Sequence, residues 1–297
     1  MRLHKILFGS LFLMVFTISC EKDEEPEIIP ERDRTEQELA DQEALEAYLE
    51  THFYNYEEFE NPGSGFDYVI EFDTISGTNS DKISLMESDL LQKKTVTFQE
   101  TEYSFYILKI REGVNEQPKF SDSTFVTYAG ELLSGTQFDS STSPIWFDLT
   151  RVIPGFSQSL SEFKGASGFV VNADNTVTWN NDYGVGAVFL PSGLGYYSNP
   201  QSEIPAYSPL VFSFKLFGVN EADHDRDGIP SWMEDLNEDE NVTNDDTDGD
   251  GGPNYIDIDD DNDFIFTKEE IVINEDGTIT FPDTDNDGTV DHLDSDM

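Results

Sequence analysis

The sequence predicts an α+β fold in which a curled antiparallel sheet packs over one short helix. An N-terminal helix precedes this body and an acidic repeat module follows it. Two observations support this prediction. Short strand-like runs separated by Gly, Pro, Asn and Asp clusters dominate residues 93–219. The charge is also uneven, because residues 220–297 hold 28 acidic residues against two bases, whereas residues 1–219 carry a net charge of −20.

Composition bounds the function before any motif is considered. The 297 residues suit about two domains. The 62 acidic and 16 basic residues give a formal net charge of −46, which excludes a nucleic-acid partner bound through phosphate neutralisation and a membrane surface bound by charge. The chain is 37% hydrophobic and 13% aromatic, so wholesale disorder is excluded as well.

The N-terminus reads as an export signal. Two bases precede an apolar run over residues 6–18, and Cys20 is the only cysteine. The tetrapeptide Thr-Ile-Ser-Cys at 17–20 resembles a bacterial lipoprotein box, with Thr where Leu is usual. Residues 1–19 are therefore expected to be a signal peptide, and Cys20 the lipidated residue that anchors the chain in a membrane through acyl chains. The alternative is an ordinary secretory signal.

An acidic tether is expected over residues 20–40. Its Lys22, followed by acids, resembles the surface-export tag of some Gram-negative lipoproteins, and a generic charged linker is the alternative. The resemblance implies a cell-envelope, outer-membrane lipoprotein that is surface-exposed if the tag acts.

Residues 41–92 supply a lead segment. Apolar side chains at helical spacing predict an amphipathic helix over about 41–60, and the run 66–72 predicts a strand. No catalytic group is evident, so the segment is expected to pack on the main domain.

The central domain, residues 93–219, is expected to hold most of the strands. These are 104–111, 124–129, 136–140, 145–149, 187–190 and 210–219, with one helix over 156–163 and a hairpin of 169–171 with 176–178. The sequence has no serine-hydrolase elbow, zinc-protease motif or Walker loop. The domain therefore offers no obvious nucleophile or general base.

A series of apolar blocks fills the domain instead: Val126–Gly130, Phe138–Ser141, Pro144–Leu149, Val152–Phe156, Leu190–Tyr196, then Ile204-Pro205 and Leu210–Phe212. In this order they resemble the FKBP-type peptidyl-prolyl isomerases over about residues 103–219. The resemblance implies an FKBP-like curled sheet, isomerase activity without a catalytic cofactor, and proline-containing polypeptides as substrates.

Residue roles follow from the same resemblance. The implied floor of the pocket is Phe156, the polar contacts are Asp139 and Tyr196, and the backbone amide of Ile204 would meet the substrate carbonyl. The implied walls are Tyr128, Phe138, Ile145, Phe147, Val152, Ile153 and Phe212.

Three departures from the family pattern keep an alternative open. Phe156 stands where the family usually has Trp, Tyr197 replaces a usual Gly, and residues 165–186 contain an inserted hairpin. A non-catalytic module that binds proline-containing peptides is the alternative.

The acidic tail, residues 220–297, has the spacing of twelve-residue calcium loops, which place oxygen ligands at positions 1, 3, 5, 7, 9 and 12. Three loops fit with glycine at position 6: Asp223, Asp225, Asp227, Ser231 and Glu234; Asp246, Asp248, Asp250, Asn254 and Asp257; and Asp283, Asp285, Asp287, Asp291 and Asp294. Two fit without it: Asp235, Asn237, Asp239, Thr243 and Asp246; and Asp259, Asp261, Asp263, Thr267 and Glu270.

This pattern resembles thrombospondin type-3 or dockerin-like repeats, which implies structural Ca²⁺ in the tail. The alternatives are a disordered charged tail and a module whose main role is calcium-dependent adhesion at the cell surface.

Overall fold

The computed structural model describes residues 31–296. Within them the helices are α1 (Arg34–Thr51), α2 (Tyr56–Glu60), α3 (Pro154–Leu160) and α4 (Thr267–Glu270). The strands are β1 (His52–Tyr54), β2 (Phe72–Thr74), β3 (Leu91–Phe98), β4 (Thr101–Arg111), β5 (Ser123–Leu132), β6 (Gln137–Asp148), β7 (Phe169–Val171), β8 (Val177–Trp179), β9 (Gly184–Leu190), β10 (Leu210–Asn220), β11 (Val272–Ile273) and β12 (Ile279–Thr280). The expected signal peptide, Cys20 and the first part of the expected tether lie outside the described residues.

A six-stranded antiparallel sheet forms the centre of the molecule, in the order β3-β4-β9-β10-β5-β6. Irregular registers at Lys109/Arg111, Val126/Tyr128 and Leu216/Gly218 interrupt the pairing. Such bulges increase local twist, so the sheet curls. The predicted antiparallel α+β architecture is confirmed. The two strands expected at 136–140 and 145–149 are one continuous strand, β6.

One face of the sheet packs against α3. The predicted helix over 156–163 is shifted, because Pro154 supplies a fixed φ for the first turn and the helix ends at Leu160. Phe163 lies beyond the helix but is fully buried, with its ring 4.9 Å from that of Phe214. This face holds the core beneath the candidate pocket.

The opposite face packs against α1, whose apolar residues Leu45 and Leu49 are fully buried. The predicted helix over 41–60 starts earlier, because the Asp33 side chain caps it by accepting from the Glu36 amide at 3.0 Å. Residues 34–40, expected as tether, are therefore helical. Strand β9 lies between the two cores and is buried at every position.

The predicted strand at 66–72 is also corrected. Tyr68 has a φ of 60°, which an extended strand does not permit, and only Phe72–Thr74 pairs, with β1. The predicted hairpin is confirmed as β7 and β8, joined through Asn175 at a φ of 65°.

The tail consists of short turns and loops with α4 and the small hairpin β11–β12. It joins the sheet through the Ala222 amide, which donates to Asp122 Oδ1 at 3.1 Å, and through Gln158 Nε2, which donates to Glu240 at 3.1 Å. The described residues from Arg32 onward form one compact unit. Among them, no helix is long and apolar enough to cross a membrane.

Candidate functional site

Aromatic rings converge on the face of the sheet that carries α3. The ring centroid of Phe156 lies 5.1 Å from that of Phe212, 5.8 Å from that of Phe147 and 6.3 Å from that of Tyr128. Phe138 extends the group through an edge contact with Phe212 at 5.5 Å. Phe156 and Phe212 are buried and the other three are half-buried. The result is an apolar surface with a buried floor and accessible sides.

Polar groups stand at the accessible side of these rings. Tyr128 Oη donates to Asp139 Oδ2 at 2.6 Å. Burial, with a contribution from the Asp139 carboxylate, raises the pKa of Tyr196, and burial raises the pKa of Tyr128 as well. Both hydroxyls therefore stay protonated at neutral pH and can act as hydrogen-bond donors.

The remaining predicted pocket residues lie nearby with different exposures. Val152 and Ile153 precede α3 and pack against the same core, and Ile204 is buried in it. Ile145 lies two residues before Phe147 on β6 and is 36% exposed, which places it at the rim. The Ile204 amide donates to the Gln201 carbonyl at 3.2 Å. A substrate carbonyl would have to displace that bond.

The loop that carries Tyr196 is held by α1. Asp41 Oδ2 accepts from the Ser192 amide at 2.7 Å and from its hydroxyl at 2.6 Å, and both residues are buried. Tyr197, with a φ of 48°, donates its hydroxyl to the Arg32 carbonyl. Sequence reasoning missed this support because Asp41 is one of several acids on α1, and no motif distinguishes it from the others.

The tail contains four loops of the same construction, which start at Asp223, Asp246, Asp259 and Asp283. In each, the backbone amide of position 9 donates to the carbonyl just before position 1, at 2.8 to 3.1 Å. The carboxylates at positions 3 and 5 each accept a backbone amide two residues later, which fixes them in turns. The carboxylates at positions 1, 3 and 5 of the loops starting at Asp223, Asp246 and Asp259 lie within 4.8 Å of one another.

Position 9 has a structural role in these loops, and its expected role as a ligand stays a prediction. Ser231, Asn254, Thr267 and Asp291 each accept the backbone amide of position 2 in their own loop, at 2.7 to 3.2 Å. Asp291 uses its second oxygen as well, to accept from the Thr284 hydroxyl at 2.6 Å.

The second loop, which starts at Asp235, is built differently. Asp235 and Asp239 group with Asp245, and the expected last ligand Asp246 groups instead with Asp248 and Asp250. Asn237 donates its amide to Asp245 Oδ1 at 3.1 Å, and Thr243 donates its hydroxyl to Asn241. These bonds use the Asn237 amide nitrogen and the Thr243 hydroxyl hydrogen, so the role of the two side-chain oxygens as ligands stays a prediction. In the described chain, this loop lacks the closing position-9 bond of the other four.

The acidic residues at position 12 face their own loops. The carboxylates of Asp248 and Asp250 help raise the pKa of Asp257, and those of Asp261 and Asp263 help raise that of Glu270, with burial as the main cause in both. Asp294 has Asp287 nearby. Burial and the neighbouring Asp225 raise the pKa of Glu234 to about 10.

Many of these carboxylate oxygens have no hydrogen-bond donor among the described residues. The buried unpartnered atoms include both oxygens of Glu234, Asp260 and Glu270 and one each of Asp225, Asp227, Asp245, Asp259 and Asp261. Buried unpaired carboxylates are unfavourable, and grouped carboxylate oxygens are the ligands that hard cations prefer. Sequence reasoning missed Asp245 and Asp260, because neither occupies a ligand position of the twelve-residue pattern.

Two family models match separate stretches of this chain. Residues 114–217 match the family model of the FKBP-type peptidyl-prolyl cis-trans isomerases. Residues 224–282 match a second family model, described as BamM C-terminal.

Curated relatives match part of this chain. FKBP-type peptidyl-prolyl cis-trans isomerase FkpA from Aeromonas hydrophila is 32% identical over 118 residues, 39% of this chain and 38% of the relative. FkpA from Escherichia coli K12 is 31% identical over 38% of this chain and 37% of the relative. Outer membrane protein MIP from Legionella longbeachae is 31% identical over 38% and 43%.

The chain thus spans about two fifths of the length of each of these relatives. The crystal structure of FkpA from Escherichia coli aligns with 43% of this chain and 53% of that chain, at 28% identity and a TM-score of 0.33. The family model covers the strands and the helix that assemble the aromatic cluster. Residues 114–217 of this chain are therefore similar to the FKBP-type peptidyl-prolyl cis-trans isomerases.

Proposed function

We propose that this protein catalyses the cis-trans isomerisation of prolyl bonds in exported polypeptides at the cell envelope. The observation that carries this proposal is the ring cluster around Phe156 with the Tyr128–Asp139 hydrogen bond at its open side, within the residues that match the family model. Phe156 would form the floor under the proline ring. Phe138, Phe147 and Phe212 would form the walls.

The chemistry requires no acid, base or metal. A peptide bond resists rotation by about 18–20 kcal/mol because of resonance. In the twisted transition state that resonance is lost and the carbonyl is less dipolar, so an apolar surface disfavours the planar ground state more than the transition state. The protonated Tyr196 hydroxyl can donate to the displaced carbonyl. The Tyr128–Asp139 bond would hold the ring of Tyr128 in place.

The test is an isomerase assay on a prolyl peptide with a soluble form that lacks residues 1–20, run with and without calcium. Asp139→Asn removes the charged acceptor of the Tyr128 hydroxyl and is expected to lower kcat/KM about tenfold, which is 1.4 kcal/mol. Asp174→Asn is the matched control, because Asp174 is an exposed acid in the β7–β8 turn of the same domain. Its rate should equal that of the parent.

A folded domain with no rate above background would overturn the enzyme proposal. Prolyl-peptide binding without turnover would favour the non-catalytic binding module, and so would a Phe156→Trp variant that gains activity from none. The substitution bears on this alternative because Phe156 lacks the indole donor of the usual Trp.

We propose further that residues 220–297 form a module that calcium orders. Its support is the set of four loops of common construction, together with the buried carboxylate oxygens without a donor in the loops that begin at Asp223 and Asp259. The donor set is oxygen only, which fits Ca²⁺. Asp223, Asp246, Asp259 and Asp283 would begin the main loops, and Asp235 would begin a fifth of different geometry. One clear role for the ions is neutralisation of the 28 acids.

Calcium added to the metal-free protein is expected to change its far-ultraviolet circular dichroism, since the loops would order around the ions. An unchanged spectrum together with no heat of binding would favour the alternative of a disordered charged tail. Calcium-dependent adhesion as the main role would be supported by surface binding that persists in a variant without isomerase activity.

We propose finally that Cys20 is lipidated and anchors the protein in the outer membrane. The support is the sequence of residues 1–20, which resembles a lipoprotein signal. Metabolic labelling with a fatty acid should mark the parent but not Cys20→Ser. Equal labelling of both proteins would refute the anchor. Protease treatment of intact cells would then distinguish a surface location from an inward-facing one.

A further inference from the structure

Asp260 is an acid whose side chain leaves its own loop. The loop that begins at Asp259 groups Asp259, Asp261 and Asp263. Asp260, at position 2 of that loop, groups instead with Asp227 and Glu234 of the first loop, with ligand oxygens within 4.8 Å of one another. The Asp260 backbone is fixed by its amide, which donates to Thr267 Oγ1 at 3.2 Å. The Asp260 carboxylate therefore lies away from its own loop and close to the first loop.

All three carboxyl groups are buried, and five of their six oxygens have no donor. Asp227 and Glu234 are 3% exposed and Asp260 is 2% exposed. Both oxygens of Glu234, both of Asp260 and one of Asp227 have no hydrogen-bond partner. Within the described chain, no Lys or Arg forms an ion pair with any of the three. Like charges at this spacing repel, so the cluster has to be neutralised, by a cation where one binds and by protons in its absence.

The loop architecture does not itself require an acid at this position. The equivalent residues of the other loops of the same construction are His224, Thr247 and Thr284. Asp260 is the one acid among the four, and its carboxylate groups with those of another loop. The Asp260 carboxylate therefore groups with carboxylates of the first loop and not with those of its own loop.

We propose that Asp260 completes a cation site with Asp227 and Glu234, so that one Ca²⁺ joins the first loop to the loop that begins at Asp259. This inference rests on the proposed binding of calcium by the tail. Glu234 offers two oxygens, Asp260 two and Asp227 one, which makes up most of the six to eight oxygens that Ca²⁺ takes.

The ion would also tie the distal loop to the central domain. The first loop is anchored there by the Ala222 amide on Asp122, and His224 Nε2 lies 3.4 Å from Asp148 Oδ2, next to Phe147 of the aromatic cluster. The loop that begins at Asp259 has its own ion-binding carboxylates but reaches the first loop through Asp260. Removal of Asp260 should therefore release the two loops from each other without dissolving either loop.

The test compares calcium titrations of the purified parent protein and Asp260→Asn by isothermal calorimetry, starting from metal-free samples. The variant is expected to lose one binding event or to weaken it at least about tenfold. Hydrogen exchange should show that calcium no longer protects residues 223–234 as strongly, whereas residues 246–257 keep their protection. Glu275→Gln is the matched control, because it removes one exposed charge from the same tail.

The outcomes separate this inference from the calcium proposal itself. A parent protein that binds no calcium would overturn both. A parent that binds calcium with an isotherm identical to that of Asp260→Asn would overturn the shared site alone. Glu234→Gln provides a second check if Asp260→Asn folds poorly. It should remove the same binding event, and two different events lost in the two variants would contradict a shared ion.

Discussion

The central domain and the acidic tail bury opposite kinds of side chain, apolar in the domain and largely acidic in the tail. The domain packs aromatic and aliphatic side chains on both faces of its sheet. In the described tail after residue 220, the buried apolar side chains are Ala222, Ile229, Val242 and Ile271, whereas eight acidic side chains are buried. Large apolar side chains of the tail face solvent instead, and Phe264 is 90% exposed.

This difference implies two sources of stability in one chain. Burial of apolar area stabilises the domain by roughly 25 cal/mol per Å² without any ligand. The tail buries too little apolar area to offset the conformational entropy of its loops, and its inward carboxylates repel one another. The domain should therefore stay folded without calcium, whereas the folding of the tail should depend on bound calcium.

Calcium removal should produce the largest contrast between the two regions. With excess chelator, amides of residues 222–296 are expected to lose at least about 100-fold in hydrogen-exchange protection, because a hundredfold ligand excess over Kd contributes about 2.7 kcal/mol. Amides of β4, β9 and β10 should keep theirs. The measurement is hydrogen exchange with mass spectrometry. An equal loss of protection in both regions would contradict two separate sources of stability.

Truncation of a buried ring should affect only the domain. Phe156→Ala is expected to lower the free energy of unfolding of the domain by about 3–5 kcal/mol and to abolish isomerase activity, because Phe156 is 3% exposed at the centre of the ring cluster. The calcium affinity of the tail should be unchanged. Urea unfolding and calcium calorimetry on the same sample would check both.

The matched substitution in the tail is Phe264→Ala, which removes a ring of the same size. The expected cost is within about 0.5 kcal/mol because that ring is in solvent. Similar costs for the two substitutions would contradict the division of the chain into an apolar and an ionic interior.

A pH-dependent effect is expected in the helix α1. Burial raises the pKa of Glu38 to about 7, although Oε1 accepts the Ser104 amide at 2.9 Å, because Oε2 is buried without a donor. A raised pKa means that the folded protein binds this proton more tightly than the unfolded chain does. The Glu38 contribution to stability is therefore complete below pH 4.5 and is lost as the pH rises towards 7.

Glu38→Gln should accordingly be more stable than the parent at pH 8 by about 1–2 kcal/mol, after a reduction for partial solvent screening, and similar to it at pH 4. Glu43→Gln, an exposed site on the same helix, is the control and should show no such trend. Urea midpoints between pH 4 and 8 give the measurement. A gap that stays constant with pH would show that the carboxylate is not destabilised by burial.

Some of these features were readable in the sequence because they depend on local pattern. The alternation of apolar and polar residues gave the long strands β4, β5 and β10, and the twelve-residue spacing located the loops that begin at Asp223, Asp246 and Asp283. The boundaries of α1 were harder to predict from the sequence. The cap by Asp33 competes with several other acids in the same stretch, and sequence alone does not rank them.

The sequence by itself determined that an aromatic, apolar body precedes a tail of regularly spaced acidic residues, because periodicity and residue type are local properties of the chain. Only the tertiary structure decided which distant groups meet. It brought Asp41 to Ser192 and Asp260 to Glu234, and it gave the position-9 side chains the hydrogen bonds that help to close the loops. Such pairings depend on how separate segments pack in three dimensions, and burial then makes each polar contact decisive for stability.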